Sequence, residues 1–593
     1  MTAAIILLIL AIPIGLVVLL VVMLGRRGAS TRTGAASVRQ FFQYAILYGL
    51  VLVTALGVEE LLVQLVEPAS QQSGPNTELA RALAFTLVGA PLAAILAAVS
   101  RKQQRADPGE RQSAVWALHV TAGAVTGLIG SMVAFHGLLT AGLGVGNFHA
   151  SDVVLLAVWG SLWVAYWLID RRALTPVYSQ PHILLGSLIG LVVAVYGLVA
   201  VLTTTVNALI PSGLALGSGH GIVRAVSLFA TGAIVWIWYW VLHGLKSRRG
   251  ILWHVLVLPL GVGGGLLMAV IGASVMLWRL LVWFVGNPLA ETAAGHFRGT
   301  TVAAATAAVG LLVWWYHRSV LGVTRERTEV HRVHEYLVAA VGLGAAAYGV
   351  GTLIVAGIET ITPGIDLGLS AVDTLLAALT LLAVGTPLWW IHWSRAERAA
   401  AADPAGELVS PTRRTYIVIL FGLAGLAAVI ALVTVSYMLL VDIIDAAVSG
   451  GTFREMRYGL GVLAAAAAVS VYHWAVQRAD RAALAGVVPP APVHAEPGTP
   501  PSPDASARLV PHRASVVLIG SRDEELSRRL EQETDSAVET WPTAQPSPPW
   551  IHDDVLAAVR AHPGVDLTIV AGPGGLTVIE VTRPGHQNPE PTD

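Results

Sequence analysis

Long apolar runs separated by short polar breaks fill the first four fifths of this chain. Runs of about 20 or more mainly apolar residues, enough to carry a helix across roughly 30 Å of hydrocarbon, fall at 3–24, 41–66, 79–100, 113–140, 152–170, 182–209, 222–244, 251–285, 299–317, 333–362, 370–392, 415–447 and 457–476. In hydrocarbon every backbone amide must be satisfied inside its own helix, so the pattern predicts an all-α polytopic membrane bundle of about 13 transmembrane helices. Beyond residue 484 the apolar runs stop. "AGVVPPAPVHAEPGTPPSPDASARLVPHR" holds eight prolines in 29 residues and reads as an extended linker over 485–513.

The polar breaks orient the helices. Cytoplasmic loops retain arginine and lysine, whereas translocated loops lose them. If twelve of the runs form six hairpins entered from one side, that side collects 23 basic residues and the other only six: Arg81, Arg224, Arg279, Arg298, Arg454 and Arg457. The expected units are an N-terminal anchor at 1–30 and hairpins at 38–105, 111–172, 180–249, 250–320, 331–398 and 412–481. "GRRGAS" directly after the first run, with no basic stretch before it, predicts a retained anchor with Met1 outside and Arg26 and Arg27 in the cytoplasm. The chain is therefore expected in a bacterial plasma membrane, its lipid bilayer the first partner, with the C-terminus cytoplasmic.

The second helices of the hairpins end alike: "WLIDRR" at 167, "WVLHGLK" at 240, "WWYHRSV" at 314, "WWIHWSR" at 389 and "SVYHWAVQR" at 470. His243, His317, His392 and His473 follow one another at intervals of 74, 75 and 81 residues, with Asp170 another 73 before the first. Trp167, Trp240, Trp314 and Trp389 stand three residues before their Asp or His. A period of that size marks tandem structural units, and aromatic plus basic residues at a helix end mark the lipid headgroup level. The first hairpin, ending "ILAAVSRKQQR", lacks the aromatic pair. Units opening like "SVRQFFQYAILYGLVLV" and ending like "AVGTPLWWIHWSRAER" resemble a bacterial multi-pass membrane family, domain of unknown function 5671. The resemblance, taken over about residues 38 to 480, implies a multi-helix membrane domain and carries no activity or site residues with it.

Composition agrees with a bilayer: 55% hydrophobic, 12% charged. Residues 485–593 carry 7 Lys+Arg against 15 Asp+Glu, which leaves 29 against 22 in the first 484. The acidic tail speaks against nucleic acid as a partner. Within it, "ASVVLIG" reads as a buried strand, "SRDEELSRRLEQE" and "IHDDVLAAVRA" as helices, and "DLTIVAGPGGLTVIEVT" as a hairpin, giving a small cytoplasmic α+β domain at 514–583 before a disordered tail at 584–593.

Chemistry is sparse. The absence of cysteine excludes disulfides, thiolate nucleophiles and iron–sulfur sites, and no GxSxG, HExxH, Walker A or EF-hand spacing occurs. No catalytic residue, cofactor or metal is expected. "HRVH" at 331–334 puts two histidines one turn apart without a third ligand, and "GSGHG" at 217–221 lacks a preceding strand. Glu59, Glu60, Glu359, Asp366, Asp442 and Asp445 gather near the outer helix ends, and Asp373 and Asp152 stand where a helix begins and are expected to cap it. Arg279 is expected to snorkel or to find a carboxylate. The first helices of most hairpins exceed the hydrocarbon thickness, which directs the search for a ligand to an outer groove beside the acidic residues. Glycine pairs such as Gly123 and Gly127, Gly186 and Gly190, and Gly261 and Gly265 predict helix–helix seams.

Three functions follow from this. The first is a non-enzymatic membrane scaffold or sensor presenting residues 514–583 to a cytoplasmic protein. A transporter or channel comes second, its path using Glu59, Glu60, Glu359, Asp442 and Asp445. An intramembrane enzyme is third.

Overall fold

The computed structural model describes residues 34–67, 75–209, 218–322 apart from 289 and 291, 327–362 and 370–487. In the C-terminal region it describes 515–581 apart from 522, 535, 543–547, 563–564 and 573–574. The expected anchor at 1–30, all but the first three residues of the linker 485–513, the tail 584–593 and Asp366 lie outside the described residues. The chain divides into two compact units, residues 1–489 and 490–593.

Twelve described helices are long and apolar enough to cross a membrane. They are α1 (Val38–Val66), α2 (Thr77–Ala106), α3 (Ala114–Gly142), α4 (Ala150–Ala173), α5 (Pro176–Leu209) and α6 (His220–Lys246). The others are α7 (Ile251–Val285), α8 (Ala293–Leu321), α9 (Glu329–Ile361), α10 (Ala371–Ala402), α11 (Pro411–Ile444) and α12 (Gly450–Leu484). Each corresponds to one of the apolar runs. Their outward surfaces are covered with exposed leucine, valine, isoleucine and aromatic side chains, among them Leu87, Ile95, Tyr196, Phe284 and Trp315, which water would not tolerate at this density and lipid does.

The most extensive contacts join consecutive helices: α1 with α2, α3 with α4, α5 with α6, α7 with α8, α9 with α10, and α11 with α12. Each pair then packs on the next along the chain. Glycine explains how closely the pairs approach. In lipid there is no hydrophobic force between helices, so attraction comes from close packing that small residues permit. A Cβ on Gly190, Gly265 or Gly342 would lie 2.5 Å from the backbone nitrogen of Trp236, Trp314 or Trp389, and one on Gly127 would lie 2.7 Å from that of Trp163. Seven residues on, two helical turns, Gly197, Gly272 and Gly349 make the next contacts, with Phe229, Ala307 and Leu382. From the facing helix Gly232, Gly310 and Gly385 approach Ala194, Ala269 and Ala346. Three pairs thus share one register of four small positions, three glycines and an alanine, and α3/α4 shares part of it.

Two helices are interrupted by widened turns. α6 closes in a π-helical segment, Ile237–Val241, and α7 contains another, Leu256–Gly263, around Pro259. Proline has no N–H to donate, so the regular ladder is broken there and a wider turn absorbs the fault.

The C-terminal unit is a four-stranded sheet with two helices: β1 (Ser515–Gly520), α13 (Glu524–Thr534), β2 (Ala537–Pro542), α14 (His552–Arg560), β3 (Leu567–Gly572) and β4 (Gly575–Glu580). The strand order is β2-β1-β3-β4. β1 runs parallel to both β2 and β3, while β4 is antiparallel to β3. The expected α+β domain is thereby corrected to an α/β arrangement in which each helix crosses between parallel strands. β2, "AVETWP", escaped the sequence reading because its glutamate and terminal proline resemble a loop. The core comprises Val516, Leu518, Leu526, Leu530, Leu556 and Ile569, among others.

Candidate functional site

Four of the five described outer carboxylates are each held in a contact of their own. Glu59 accepts the indole N–H of Trp159 at 2.7 Å, and Glu60 pairs with Arg81 at 2.6 Å. Glu359 pairs with Arg457 at 3.0 Å. Asp442 accepts the hydroxyl of Thr452, and Asp445 is exposed. They do not converge on one site. Asp373 does not cap α10. Ser370 does, through the amide of Asp373 at 3.1 Å, which frees the buried Asp373 carboxylate to accept the amide of Asn287 at 2.9 Å. Arg279 finds no carboxylate among the described residues; it donates to the carbonyl of His296 at 2.7 Å, and His296 bonds back to the Arg279 carbonyl.

The aromatic helix ends fall into two registers, which corrects the alignment read from sequence. Trp314 and Trp389 lie opposite a seam glycine, with His317 and His392 one turn further on. In α6 and α4 the residues at that place are Trp236 with Tyr239 and Trp163 with Tyr166, so that Trp240 with His243 and Trp167 with Asp170 sit one turn beyond it. Tryptophans four residues apart in "WVAYW" and "WIWYW" made both registers look alike. His317, His392 and His473 each bond the carbonyl four residues earlier, at 2.8, 3.0 and 2.8 Å. They act as local helix ties.

Between neighbouring hairpins these ends build buried polar clusters. Asp170 and His182 are both fully buried, 3.3 Å apart. Asp170 also accepts the hydroxyl of Ser179 at 2.6 Å. His182 Nε2 contacts the hydroxyl of Tyr239 at 2.9 Å, and that hydroxyl accepts the indole N–H of Trp163 at 2.7 Å. With the imidazole proton on Nδ1, the Tyr239 hydroxyl donates to Nε2, while Nδ1 faces Asp170 Oδ1 as an electrostatic contact and not as a hydrogen bond. Such an Asp–His–Tyr series is chemically a general base, yet Asp170, His182 and Tyr239 have no exposed surface. The cluster joins α4, α5 and α6.

A second cluster centres on Arg413, which sequence reasoning passed over as one of many cytoplasmic arginines. Its guanidinium is 1% exposed. It donates twice to Asp480, at 2.7 and 2.8 Å, and also to Glu397 at 2.8 Å and Tyr336 at 3.3 Å. Trp393 lies beneath it and donates its indole N–H to Tyr472 at 2.6 Å. Trp240 donates to Tyr316 at 2.9 Å in the same manner one hairpin pair earlier.

A third feature was visible in the sequence and missed. "DPGERQS" at 107 and "DPAGELVS" at 403 form the junctions between hairpins. In both, the aspartate carboxylate accepts a glycine amide, from Gly109 and Gly406 at 2.9 Å, and the proline begins a short turn. Glu110 and Glu407 are then buried, at 2% and 1% exposure. Glu110 accepts the hydroxyl of Tyr44 at 3.4 Å, whereas Glu407 receives Arg327 and Arg332. Burying a carboxylate this far requires such partners.

In the C-terminal unit, Asp523 accepts the amides of Glu525 and Leu526 at the start of α13, at 3.1 and 3.0 Å, and meets His552 at 2.8 Å. The Leu526 amide first and then His552 hold the Asp523 carboxyl below its ordinary value. A carboxylate thus occupies the helix end where a phosphate would bind. Asp523→Ala is expected to destabilise α13 by about 1 kcal/mol. The wild-type contribution is complete above the unfolded aspartate value of about 3.9 and disappears as pH falls through the lower folded value. Hydrogen-exchange protection of residues 524–534 in the full chain, taken relative to the intrinsic rate at each pH, should fall from neutral to acid in the wild type and be lower and flatter in the variant.

Fold and site together define a multi-pass membrane protein of closely seamed helix pairs, several of whose buried polar groups bind to one another. Two segments of the chain, residues 40–153 and 332–468, match the family described as Domain of unknown function (DUF5671). Each match covers a helix pair, the Asp-Pro…Gly-Glu junction and the helix after it. The resemblance drawn from the helix openings and endings is thus found over these two segments, while residues 154–331 between them are unmatched. No curated protein and no solved structure matches the chain.

Proposed function

We propose that the chain is a non-enzymatic membrane scaffold of six like-oriented hairpins, in a bacterial plasma membrane, that presents its C-terminal domain to a cytoplasmic protein. The observation that carries this reading is the contrast between the two units. Several of the buried polar groups of the helices tie neighbouring helices together, whereas residues 515–581 possess a core of their own at the end of a proline-rich segment. The excess of arginine on the junction side supports a cytoplasmic location for that domain, and the shared glycine register supports descent of the hairpins from a repeated unit. Deleting residues 485–593 is expected to abolish recovery of cytoplasmic partners by crosslinking while leaving membrane insertion intact; unchanged partners would refute the proposal.

A transport function is the second reading, favoured by one observation: Glu359, Arg454 and Arg457 line a large groove between α9 and α12. Against it stands that none of the other four outer carboxylates lines that groove.

A further inference from the structure

The groove between the last two helix pairs has a volume of about 1080 Å³. One wall runs along α9 from Ala340 to Glu359, about 28 Å at the helical rise per residue, so it reaches past the middle of a bilayer roughly 30 Å thick. Its depth comes from small side chains: Ala347, Gly344, Gly351, Ala465 and Ala466 line it. A Cβ at Gly344 would meet nothing within 4 Å. Tyr348, Leu423 and Tyr458 on its borders are 70%, 62% and 61% exposed, so the groove opens sideways, toward lipid.

Among the described residues its charged side chains are confined to the outer end. There Arg457 pairs with Glu359 and bonds the hydroxyl of Tyr458 at 3.3 Å, while Arg454 bonds the carbonyls of Glu359 and Thr362 at 3.2 and 3.0 Å. With Glu455 the described rim residues hold two positive and two negative charges. The Glu359 side chain is only 6% exposed, and its Oε2 is buried with no hydrogen-bond partner. An unmet acceptor on a buried carboxylate is costly, and it calls for an N–H or O–H donor from whatever occupies the groove.

We infer that this groove is a binding site for one membrane phospholipid with a primary ammonium headgroup, of the phosphatidylethanolamine type. The acyl chains lie along the alanine and glycine wall, the ammonium donates to Glu359 Oε2, and the phosphate faces the two guanidiniums. A neutral rim matches a zwitterion better than an anionic lipid. A quaternary ammonium lacks the donor that Glu359 requires.

The full chain, reconstituted in phosphatidylcholine vesicles doped with phosphatidylethanolamine bearing a photoreactive acyl chain, tests this directly. Crosslinks should concentrate on residues 340–359 of α9 and 451–469 of α12. Unlabelled phosphatidylethanolamine should displace the probe about tenfold better than phosphatidylcholine or phosphatidylglycerol, the factor expected for one charge-assisted hydrogen bond. Glu359→Gln should erase that preference while labelling persists. Gly344→Leu, whose side chain enters open space and leaves the fold alone, should block labelling outright and so keeps the test decisive where Glu359→Gln fails to fold. Equal labelling around all twelve helices, equal displacement by the three lipids, or unchanged labelling of Gly344→Leu would overturn the inference. So would crosslinks joining the groove to residues 3–24 in place of lipid.

Discussion

Gly265→Leu will prevent α7 and α8 from closing, at a cost of about 3 kcal/mol or more. The leucine Cβ would stand 2.5 Å from the Trp314 nitrogen, and the Gly310 carbonyl oxygen is next at 2.9 Å. Both are backbone atoms of a helix, so no side-chain rotation relieves the clash, and the cost sits at the upper end of the range for overpacked cores. The adjacent Gly264 provides the control, because a Cβ there meets nothing within 4 Å. Gly264→Leu should change stability by no more than about 0.5 kcal/mol. Titration of the reconstituted protein with a denaturing detergent, followed by tryptophan fluorescence, separates the two. Equal midpoints would mean that the seam is not what holds the pair together.

Arg413→Met should be nearly as damaging, at about 3 kcal/mol. Breaking a buried ion pair by removing one partner is expensive chiefly because the other charge stays behind. Here Asp480 is 17% exposed and Glu397 is 44% exposed, so water reaches the second far more readily, which sets the figure at the low end for buried pairs. Replacing Asp480 at the same time should recover much of the loss, since no bidentate partner then remains uncompensated. If the double variant is as unstable as the sum of the single ones, the pair does not act as a unit. The same titration reads this, with Trp393 beneath the guanidinium as the local reporter.

The membrane-spanning helices were legible because one physical demand, twenty apolar residues in a row, is written directly into the chain. The glycine seams were partly legible for a related reason: Gly186, Gly190, Gly261 and Gly265 have no role on a lipid-facing surface that larger residues would not fill better. Partners were not legible. Glu59 and Trp159 lie 100 positions apart, and nothing local says that a carboxylate near a helix end faces an indole and not water. The register of the aromatic ends failed because two tryptophans one turn apart satisfy the same spacing rule, and only the opposing helix chooses between them. Glu110 and Glu407 were passed over because a short Asp-Pro…Gly-Glu turn looks like an ordinary solvent loop, although its two occurrences stand almost 300 residues apart in the same order of elements. β2 was lost because its glutamate and terminal proline read as a loop, although it is as long as the other strands.

The widened turn around Pro259 sets an angular condition on α7. Residues before it, such as Trp253 and Val257, meet the cluster around Trp240, while Gly265 and Gly272 beyond it face α8. Each residue of an α-helix advances the azimuth by about 100°, so the surplus residue brings both surfaces into phase with their neighbours. A chain one residue shorter here would keep its greasiness and its length for the bilayer, yet one of the two halves would point the wrong way. At this position the helix is specified by rotation, a quantity that a hydrophobicity profile does not contain.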